Sequence, residues 1–114
     1  MITIYHNPRC SKSREALALL QKNGADFTII EYLKTPPTAA ELAAILIKLN
    51  IPARQLLRDK EEEYRSLQLN NLALSEQQLI NTMVEHPKLI ERPIVINGEH
   101  AAIGRPLSNV SAIL

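Results

Sequence analysis

Residues 2–20, ITIYHNPRCSKSREALALL, decide the fold of the first part of the chain. The run ITIY is β-branched and aromatic, so it predicts a short strand that stops at the turn-prone pair Asn7-Pro8. From Ser11 onward the apolar residues recur at helical spacing. Cys10, the only cysteine of the chain, lies between the predicted strand and the segment in which apolar residues recur at helical spacing. A strand, a turn and a helix in this order place the thiol at a helix N-terminus.

A second strand is predicted shortly after this helix. Asn23-Gly24 is typical of a helix end, and the segment FTIIEY at residues 27–32 is almost continuously apolar. Such a segment favours a buried strand that lies parallel to the first one. The N-terminal part of the chain is therefore predicted to be a β-α-β unit.

The middle of the chain is predicted to be helical. It contains two capping boxes, in which a hydroxyl and a longer polar side chain three residues later satisfy the first backbone donors of a helix. The boxes lie at Thr38–Glu41 and Ser75–Gln78. The acidic run at 61–63 lies in the most polar stretch and is interpreted as a solvated face. The predicted helical segments are 39–49, 51–57 and 76–85, with a short helix between 59 and 71.

Two strands and a short helix are predicted near the C-terminus. Asn97-Gly98 is the strongest signal for a short loop, and it joins two strands into a hairpin. Ser108 is expected to cap a last helix. The strands are expected at 93–96 and 100–103, and the helix at 109–114. The predicted fold class is α/β, a single domain over residues 1–114 with the order β-α-β, a helical insertion at about 38–86, and β-β-α around a mixed sheet.

The composition limits the classes of function. The chain has 13 Lys and Arg against 12 Asp and Glu, and a net charge of +1 gives no field for binding a nucleic acid or an anionic membrane. One cysteine excludes an internal disulfide framework, and no apolar run reaches the ~18 residues of a membrane span. The N-terminus lacks the pattern of a secretory signal. We expect a cytoplasmic monomer in which any site for an anion is formed by a local group of basic residues.

The surroundings of Cys10 favour an ionised thiol. A free cysteine has a pKa near ~8.5, but the pKa of a thiol at a helix N-terminus beside cations falls to roughly 3.5–7.5. Arg9, Lys12 and Arg14 supply positive charge nearby in sequence. The donors that stabilise a thiolate also bind an oxyanion, so a nucleophile and an oxyanion can share one site.

Arginines must supply most of the affinity of such a site. A helix end contributes about 0.3–1 kcal/mol to an exposed anion, whereas one Arg charge at ~4 Å contributes about 4 kcal/mol at an effective dielectric near 20. Arg92 and Arg105 are the leading candidates because each precedes a proline, which favours an extended backbone and permits a cis bond. Both flank the predicted hairpin, where the turn before the third strand can lie beside the end of the first. Arg58 is a third candidate.

The other polar candidates carry weaker arguments. His6, at the end of the first strand, is either a structural histidine or a residue that supports the site. A metal site is not favoured, because the histidines and Cys10 lack the short ligand spacing of such sites. The remaining arginines that we assign to solvent are Arg9, Arg54 and Arg65.

Five short motifs occur together in the chain. They are Tyr5-His6-Asn7-Pro8, Cys10 with Ser13 three residues later, Leu56-Leu57-Arg58, Arg92-Pro93-Ile94-Val95 and Gly104-Arg105-Pro106. As a set they resemble the glutaredoxin-linked arsenate reductase family, and the resemblance covers essentially the whole chain. It implies a thioredoxin-like fold with a helical insertion. It also implies a nucleophile at Cys10, oxyanion-binding arginines at Arg58, Arg92 and Arg105, and a supporting histidine at His6.

The resemblance implies a reaction as well. Cys10 would attack arsenate to give a thiolate-bound arsenic adduct, which the co-substrate glutathione reduces to a mixed disulfide. Glutaredoxin would resolve this disulfide, and arsenite is released. No tightly bound cofactor is implied. A lone thiol agrees with this cycle, because it has no resolving partner in the chain and must use an external thiol.

Two other functions stay open from the sequence. A single-thiol site also suits an oxidoreductase that acts on glutathionylated proteins. The family also contains regulators that bind RNA polymerase, and the tail at 108–114 is shorter than in fully active arsenate reductases, so a short relative is expected. Ser13 stands where a redox-sensing relative would have a second cysteine, which argues against a disulfide switch.

Overall fold

The computed structural model describes residues 2–24 and 26–114, and these residues form four strands and six α-helices. The strands are β1 (Ile2–Tyr5), β2 (Phe27–Ile30), β3 (Ile94–Asn97) and β4 (His100–Ile103). The helices are α1 (Ser11–Asn23), α2 (Ala39–Leu49), α3 (Ala53–Leu56), α4 (Glu62–Ser66), α5 (Glu76–Glu85) and α6 (Ser108–Ser111), with a 3₁₀ turn at Pro87–Leu89. This order confirms the prediction of β-α-β, a helical middle and β-β-α.

The strands form one mixed sheet in the order β2-β1-β3-β4. β1 runs parallel to β2 and antiparallel to β3, which runs antiparallel to β4. Tyr5, the last residue of β1, pairs with Ile30 of β2 and Ile94 of β3. Ile94 in turn pairs with Ile103, the last residue of β4. The segments after β1, β2 and β4 and the segment before β3 therefore leave the sheet at the same end.

The chain divides into two compact units, and the first contains the sheet. This unit comprises the chain up to Thr35 together with Arg92–Leu114. Its core is formed where α1 and α6 cover one face of β1 and β3. The buried residues of this core are Ile2, Ile4, Ala16, Leu20, Val95 and Val110.

The second unit, Pro36–Glu91, is helical. Its helix α5 packs against α2 and α3, and both predicted capping boxes are confirmed at the starts of α2 and α5. The buried apolar residues of these three helices are Leu42, Ile45, Leu46, Ala53, Leu56, Leu79, Ile80 and Met83. Among the described residues, every helix falls short of the length and apolar character that crossing a bilayer demands.

Strand β2 differs from the prediction in length and in burial. It ends at Ile30, and residues 31–35 form a turn instead of extending the strand to residue 32. Thr28 and Ile29 are exposed because β2 is an edge strand, with β1 on one side only. The apolar run of this segment therefore does not indicate a strand that is buried on both faces.

Strand β3 and the start of the last helix are shifted by one residue from the prediction, whereas β4 lies at the predicted residues 100–103. Asn97 belongs to β3 and pairs with His100, so the two loop residues are Gly98 and Glu99. Gly98 has φ +63°, which only glycine adopts at little cost. Leu107, not Ser108, is the N-cap of the last helix, which ends at Ser111.

Two charged residues that we assigned to solvent are fixed in the second unit. Arg54 donates from Nη1 to the Leu69 carbonyl at 2.8 Å and from Nη2 to the Asn71 carbonyl at 3.0 Å. Glu61 is half-buried and lies 3.5 Å from the Arg58 guanidinium. Arg54 thereby holds backbone between α4 and α5, whereas Glu61 pairs with another side chain. The spacing of these residues in the sequence does not indicate either contact.

Candidate active site

The structure brings four of the predicted site residues to one end of the sheet. His6 and Cys10 lie in the segment after β1, Arg92 lies just before β3, and Arg105 lies just after β4. The strand register places these segments side by side. The site of the first unit is therefore built from parts of the chain that are far apart in sequence.

Cys10 is the N-cap residue of α1, as the change of period predicted. Its backbone is extended, with φ −97° and ψ 123°. Its N–H donates to the Asn7 carbonyl at 3.0 Å, and its own carbonyl accepts from the Arg14 N–H at 3.0 Å. These two bonds fix the thiol at the point where the unpaired N–H groups of the first helical turn concentrate positive potential.

Opposing influences act on the pKa of the Cys10 thiol. Burial is the largest, and it raises the pKa. Hydrogen bonding from the Ser13 N–H, the Arg92 side chain and the Lys12 N–H, together with the Arg92 charge, lowers it. The lowering influences prevail, so the pKa of Cys10 lies below that of an ordinary cysteine. The site favours a thiolate although the side chain is only 8% exposed.

Arg92 and Arg105 are the cationic groups beside the sulfur. Arg105 Nη2 lies 3.5 Å from Cys10 Sγ, and Arg105 Nε donates to the Arg92 carbonyl at 2.8 Å. Both Arg-Pro peptide bonds are cis, as the sequence allowed. The carbonyl of one arginine thus orients the guanidinium of the other, and both influence one sulfur atom.

Gly104 packs the two Arg-Pro segments together. It is buried, and its N–H donates to the Pro93 carbonyl at 2.9 Å. A Cβ at this position would lie 2.7 Å from Pro93 Cγ, which is closer than real Cβ atoms approach. Glycine is therefore required here for close packing. This packing fixes the position of the backbone that leads into Arg105.

A buried hydrogen-bond network supports the segment between β1 and α1. Ser13 Oγ lies 2.6 Å from His6 Nδ1 and accepts from the Asn7 N–H at 3.0 Å. Asn7 Oδ1 accepts from the Arg9 N–H at 3.0 Å. Sequence reasoning identified His6 and Asn7 but gave Ser13 no such contact. Its position three residues after the N-cap Cys10, where side chains commonly face the preceding turn, was the available signal.

His6 is neutral at pH 7. Burial is the main influence and lowers its pKa, the Glu31 charge raises it, and the Arg14 charge lowers it. The net result is a pKa below the ordinary value of 6.5. A ring that is only 5% exposed and shares a hydrogen bond with Ser13 thus stays uncharged.

Three basic residues lie close to Cys10 in the chain. Arg14 Nη1 donates to the Pro8 carbonyl at 2.9 Å, which ties α1 to the preceding turn. Lys12 lies 3.7 Å from the Glu15 carboxylate. Arg9 is exposed, as predicted. These residues give the surface near Cys10 a positive character that the net charge of the chain does not reveal.

Arg58, the third arginine candidate, lies in the second unit directly after α3. Its Nη1 is 3.5 Å from Glu61 Oε2 and its Nε is 3.9 Å from Glu91 Oε1. Its N–H donates to the Leu89 carbonyl at 2.8 Å. The side chain is 20% exposed and is held by two carboxylates, so its part in oxyanion binding stays a prediction.

The geometry of the first unit suits nucleophilic attack on an anion. Over residues 2–24 and 26–114, no cluster of three or more His, Cys, Asp or Glu side chains is arranged to hold a metal ion. The site contains a thiol with a lowered pKa, two guanidinium groups and a helix N-terminus. Together these groups can bind an oxyanion and present the sulfur to it.

A four-stranded β-α-β/β-β-α sheet with a lone thiol at the start of its first helix defines a class of thiol-dependent proteins. Within that class the chain belongs to the ArsC family, whose model matches residues 5–113. The family resemblance seen in the sequence is confirmed.

Relatives and solved structures agree with this assignment. The arsenate reductase of Haemophilus influenzae is 52% identical over 114 residues, covering 99% of this chain and 98% of that protein. The uncharacterized protein YfgD of Escherichia coli is 50% identical over 114 residues, covering 99% of this chain and 96% of that protein. The structure of the arsenate reductase from Vibrio cholerae matches with a TM-score of 0.96 at 47% identity, covering 99% of this chain and 97% of that one. The predicted thioredoxin-like fold is thereby confirmed.

Proposed function

We propose that the chain is an arsenate reductase that takes its electrons from glutathione. One observation carries the proposal: the Cys10 sulfur lies at the N-cap of α1 with Arg105 Nη2 3.5 Å away. A nucleophile and a cation that can hold an oxyanion are thus adjacent, as attack on a bound oxyanion requires. The name of the 52% identical relative from Haemophilus influenzae, arsenate reductase, supports the substrate.

Arg92 and Arg105 bind the arsenate in this proposal. A guanidinium presents several N–H donors in a fixed fork that matches an oxyanion, and charge-assisted bonds of this kind are the strong ones. The unpaired N–H groups at the start of α1 add donors. Arg58 is assigned as a third ligand from the family resemblance. Because Glu61 and Glu91 pair with Arg58, an oxyanion must replace these carboxylates when it binds there.

The first chemical steps use the Cys10 sulfur. Sγ attacks the arsenic of H₂AsO₄⁻, and one arsenate hydroxyl leaves with the thiol proton as water, so that arsenic stays As(V) in a sulfur–arsenic adduct. A glutathione sulfur then attacks Sγ. The electron pair of the sulfur–arsenic bond moves to arsenic, and H₂AsO₃⁻ leaves as As(III). Cys10 is left as a mixed disulfide with glutathione.

A second glutathione closes the cycle, and glutaredoxin is the proposed catalyst of this exchange. It releases Cys10 as a thiol and forms glutathione disulfide, so one arsenate and two glutathione molecules give arsenite, one disulfide and water. The chain has one cysteine and therefore no resolving thiol of its own. We place the reaction in the cytoplasm, where glutathione is kept reduced. One copy of the chain supplies every residue invoked, and no tightly bound cofactor is needed.

A coupled assay tests the proposal. The purified chain is mixed with arsenate, glutathione, glutaredoxin, glutathione reductase and NADPH. We expect NADPH consumption that depends on arsenate and is absent in Cys10→Ser. Intact mass spectrometry of the chain with glutathione should show a glutathione adduct on Cys10 only when arsenate is added. Equal NADPH consumption by the wild type and Cys10→Ser would contradict the proposal.

A second assay separates this reaction from removal of glutathione from proteins. A glutathionylated peptide replaces arsenate, and the wild type is compared with Arg105→Ala. If the chain is an arsenate reductase, Arg105→Ala should lower the turnover rate more with arsenate than with the glutathionylated peptide. Fast peptide turnover in both variants, together with no arsenate turnover, would assign the chain to the glutathionylated-protein oxidoreductases.

A further inference from the structure

Ser13 is the most deeply buried polar residue near the thiol. It lies in the first turn of α1 with no exposed surface. Among the described residues its Oγ has two hydrogen-bond partners, His6 Nδ1 at 2.6 Å and the Asn7 N–H at 3.0 Å. None of the contacts that Ser13 makes through its hydroxyl involves the sulfur itself, so any effect on Cys10 must act through other residues.

The donors and acceptors of this network determine where its protons lie. The Asn7 N–H is always a donor, so it uses one lone pair of the Ser13 hydroxyl. If His6 Nδ1 also donated, both lone pairs would accept, and the hydroxyl proton would be buried without an acceptor, which native proteins avoid. If the hydroxyl donates to Nδ1, the Asn7 N–H, the Ser13 hydroxyl proton and Nδ1 each have a partner. The ring proton of neutral His6 must then be on Nε2.

The same hydroxyl fixes the segment that carries the nucleophile. Asn7, held at its N–H by Ser13, accepts from the Cys10 N–H through its carbonyl at 3.0 Å and from the Arg9 N–H through Oδ1 at 3.0 Å. A change of the Ser13 hydroxyl therefore reaches Cys10 through Asn7.

We propose that Ser13 is a positioning residue, whose hydroxyl ties the segment carrying Cys10 to helix α1 and fixes His6 as the tautomer with its proton on Nε2. This inference rests on the proposed function only for the reaction that the positioned sulfur carries out. Removing the hydroxyl leaves His6 Nδ1 and the Asn7 N–H without a buried partner, which is costly enough to move the segment. The sulfur then loses part of its stabilisation as a thiolate.

Nitrogen NMR of the histidine rings tests the tautomer in the full-length protein without arsenate. In the wild type at pH 7 we expect His6 to show an unprotonated Nδ1 and a protonated Nε2. In Ser13→Ala we expect a mixture of the two tautomers, and in Ser13→Thr, which keeps a hydroxyl, a return of the Nε2-protonated form. A wild-type His6 that is protonated on Nδ1 would overturn the inference, and this measurement needs no variant that has to fold.

The rate of Cys10 alkylation by iodoacetamide, measured against pH, tests the effect on sulfur. The alkylation midpoint of Ser13→Ala should lie about half a pH unit above that of the wild type, which is a roughly threefold lower rate at pH values below both midpoints. The matched control is Ser11→Ala, which removes an exposed serine hydroxyl from the same helical turn and should keep the wild-type profile. A Ser13→Ala profile identical to that of the wild type would overturn the inference. Because neither measurement uses arsenate, a failure here is distinct from a failure of the proposed reaction.

Discussion

At the scale of single residues, the charge state of Cys10 depends on a balance between burial and hydrogen bonding. Burial alone raises the pKa of the thiol, because a charged sulfur loses its hydration. The donors that reverse this effect come from the first turn of α1 and from Arg92, far along the chain. The reactivity of this residue is therefore a property of the folded protein.

The pH dependence of Cys10 alkylation is the first prediction. Because the folded pKa lies below that of an ordinary cysteine, the rate should reach half its maximum at a lower pH than in the unfolded chain. Iodoacetamide labelling of the native protein and of the same protein in concentrated urea provides the comparison, and the unfolded thiol serves as the control. Coinciding pH profiles would show that the fold does not stabilise the thiolate.

The second prediction concerns Arg105. Replacing it with alanine removes the guanidinium that lies 3.5 Å from the sulfur, so the alkylation midpoint should move to higher pH. If the proposed reaction is right, arsenate turnover should also fall about 100-fold, the usual cost of losing one preorganised donor. Arg65→Ala is the matched control, because Arg65 is exposed in the other unit. Arg105→Ala turnover at the wild-type level would remove Arg105 from the site.

The sequence predicts these residues unequally. Arg92 and Arg105 are identifiable because a proline follows each one and restricts its backbone. The contact of Ser13 with His6 is not, because the two residues are seven apart in sequence and meet only once the turn has folded. The Arg54 contacts with the carbonyls of Leu69 and Asn71 were missed for the same reason. Side-chain bonds to irregular backbone leave no periodic signal in a sequence.

At the scale of elements, the packing of Gly104 against Pro93 holds the two arginine-bearing segments in place. Gly104→Ala would put a Cβ 2.7 Å from Pro93 Cγ, in a buried position where neither segment can easily move. We expect a loss of about 1–3 kcal/mol of unfolding free energy in urea titrations, as for other overpacked sites. We also expect a shift of the Cys10 alkylation midpoint to higher pH, because the segment carrying Arg105 moves.

The control for this third prediction is Gly98→Ala in the hairpin loop. A Cβ there meets nothing within 4 Å, but φ of +63° is strained for alanine, so this variant should lose roughly 1–2 kcal/mol as well. Its alkylation profile should match the wild type, since the loop lies at the other end of β3 and β4 from Arg92 and Arg105. If both variants shift the profile equally, Gly104 has no special role in placing the arginine.

Elements were predictable where local chemistry specifies their ends. The two capping boxes and the αL Gly24 gave the bounds of the long helices, because the bonds involved lie within a few residues. The burial of β2 was not predictable, because its place at the edge depends on which strands pair with β1. The loop shift at Gly98 is a register effect of the same kind, set by the pairing of Asn97 with His100.

At the scale of the whole molecule, the stability of the chain should depend on pH through His6. The unfolded chain binds a proton on His6 near the ordinary pKa of 6.5, whereas the folded chain binds it only at lower pH. The unfolded state therefore holds more protons just below pH 6.5, and the unfolding free energy falls as the pH falls through the folded pKa. Burial is the main cause, Arg14 adds to it, and Glu31 opposes it.

Urea titrations at several pH values between neutrality and mild acid measure this fourth prediction. His6→Gln keeps a polar side chain of similar size but cannot titrate, so its unfolding free energy should fall less steeply than that of the wild type below pH 6.5. Its stability at pH 7 should be lower, because the 2.6 Å contact with Ser13 is lost. Parallel curves for the wild type and His6→Gln would show that His6 is protonated equally in the folded and unfolded states, and would contradict a buried neutral ring.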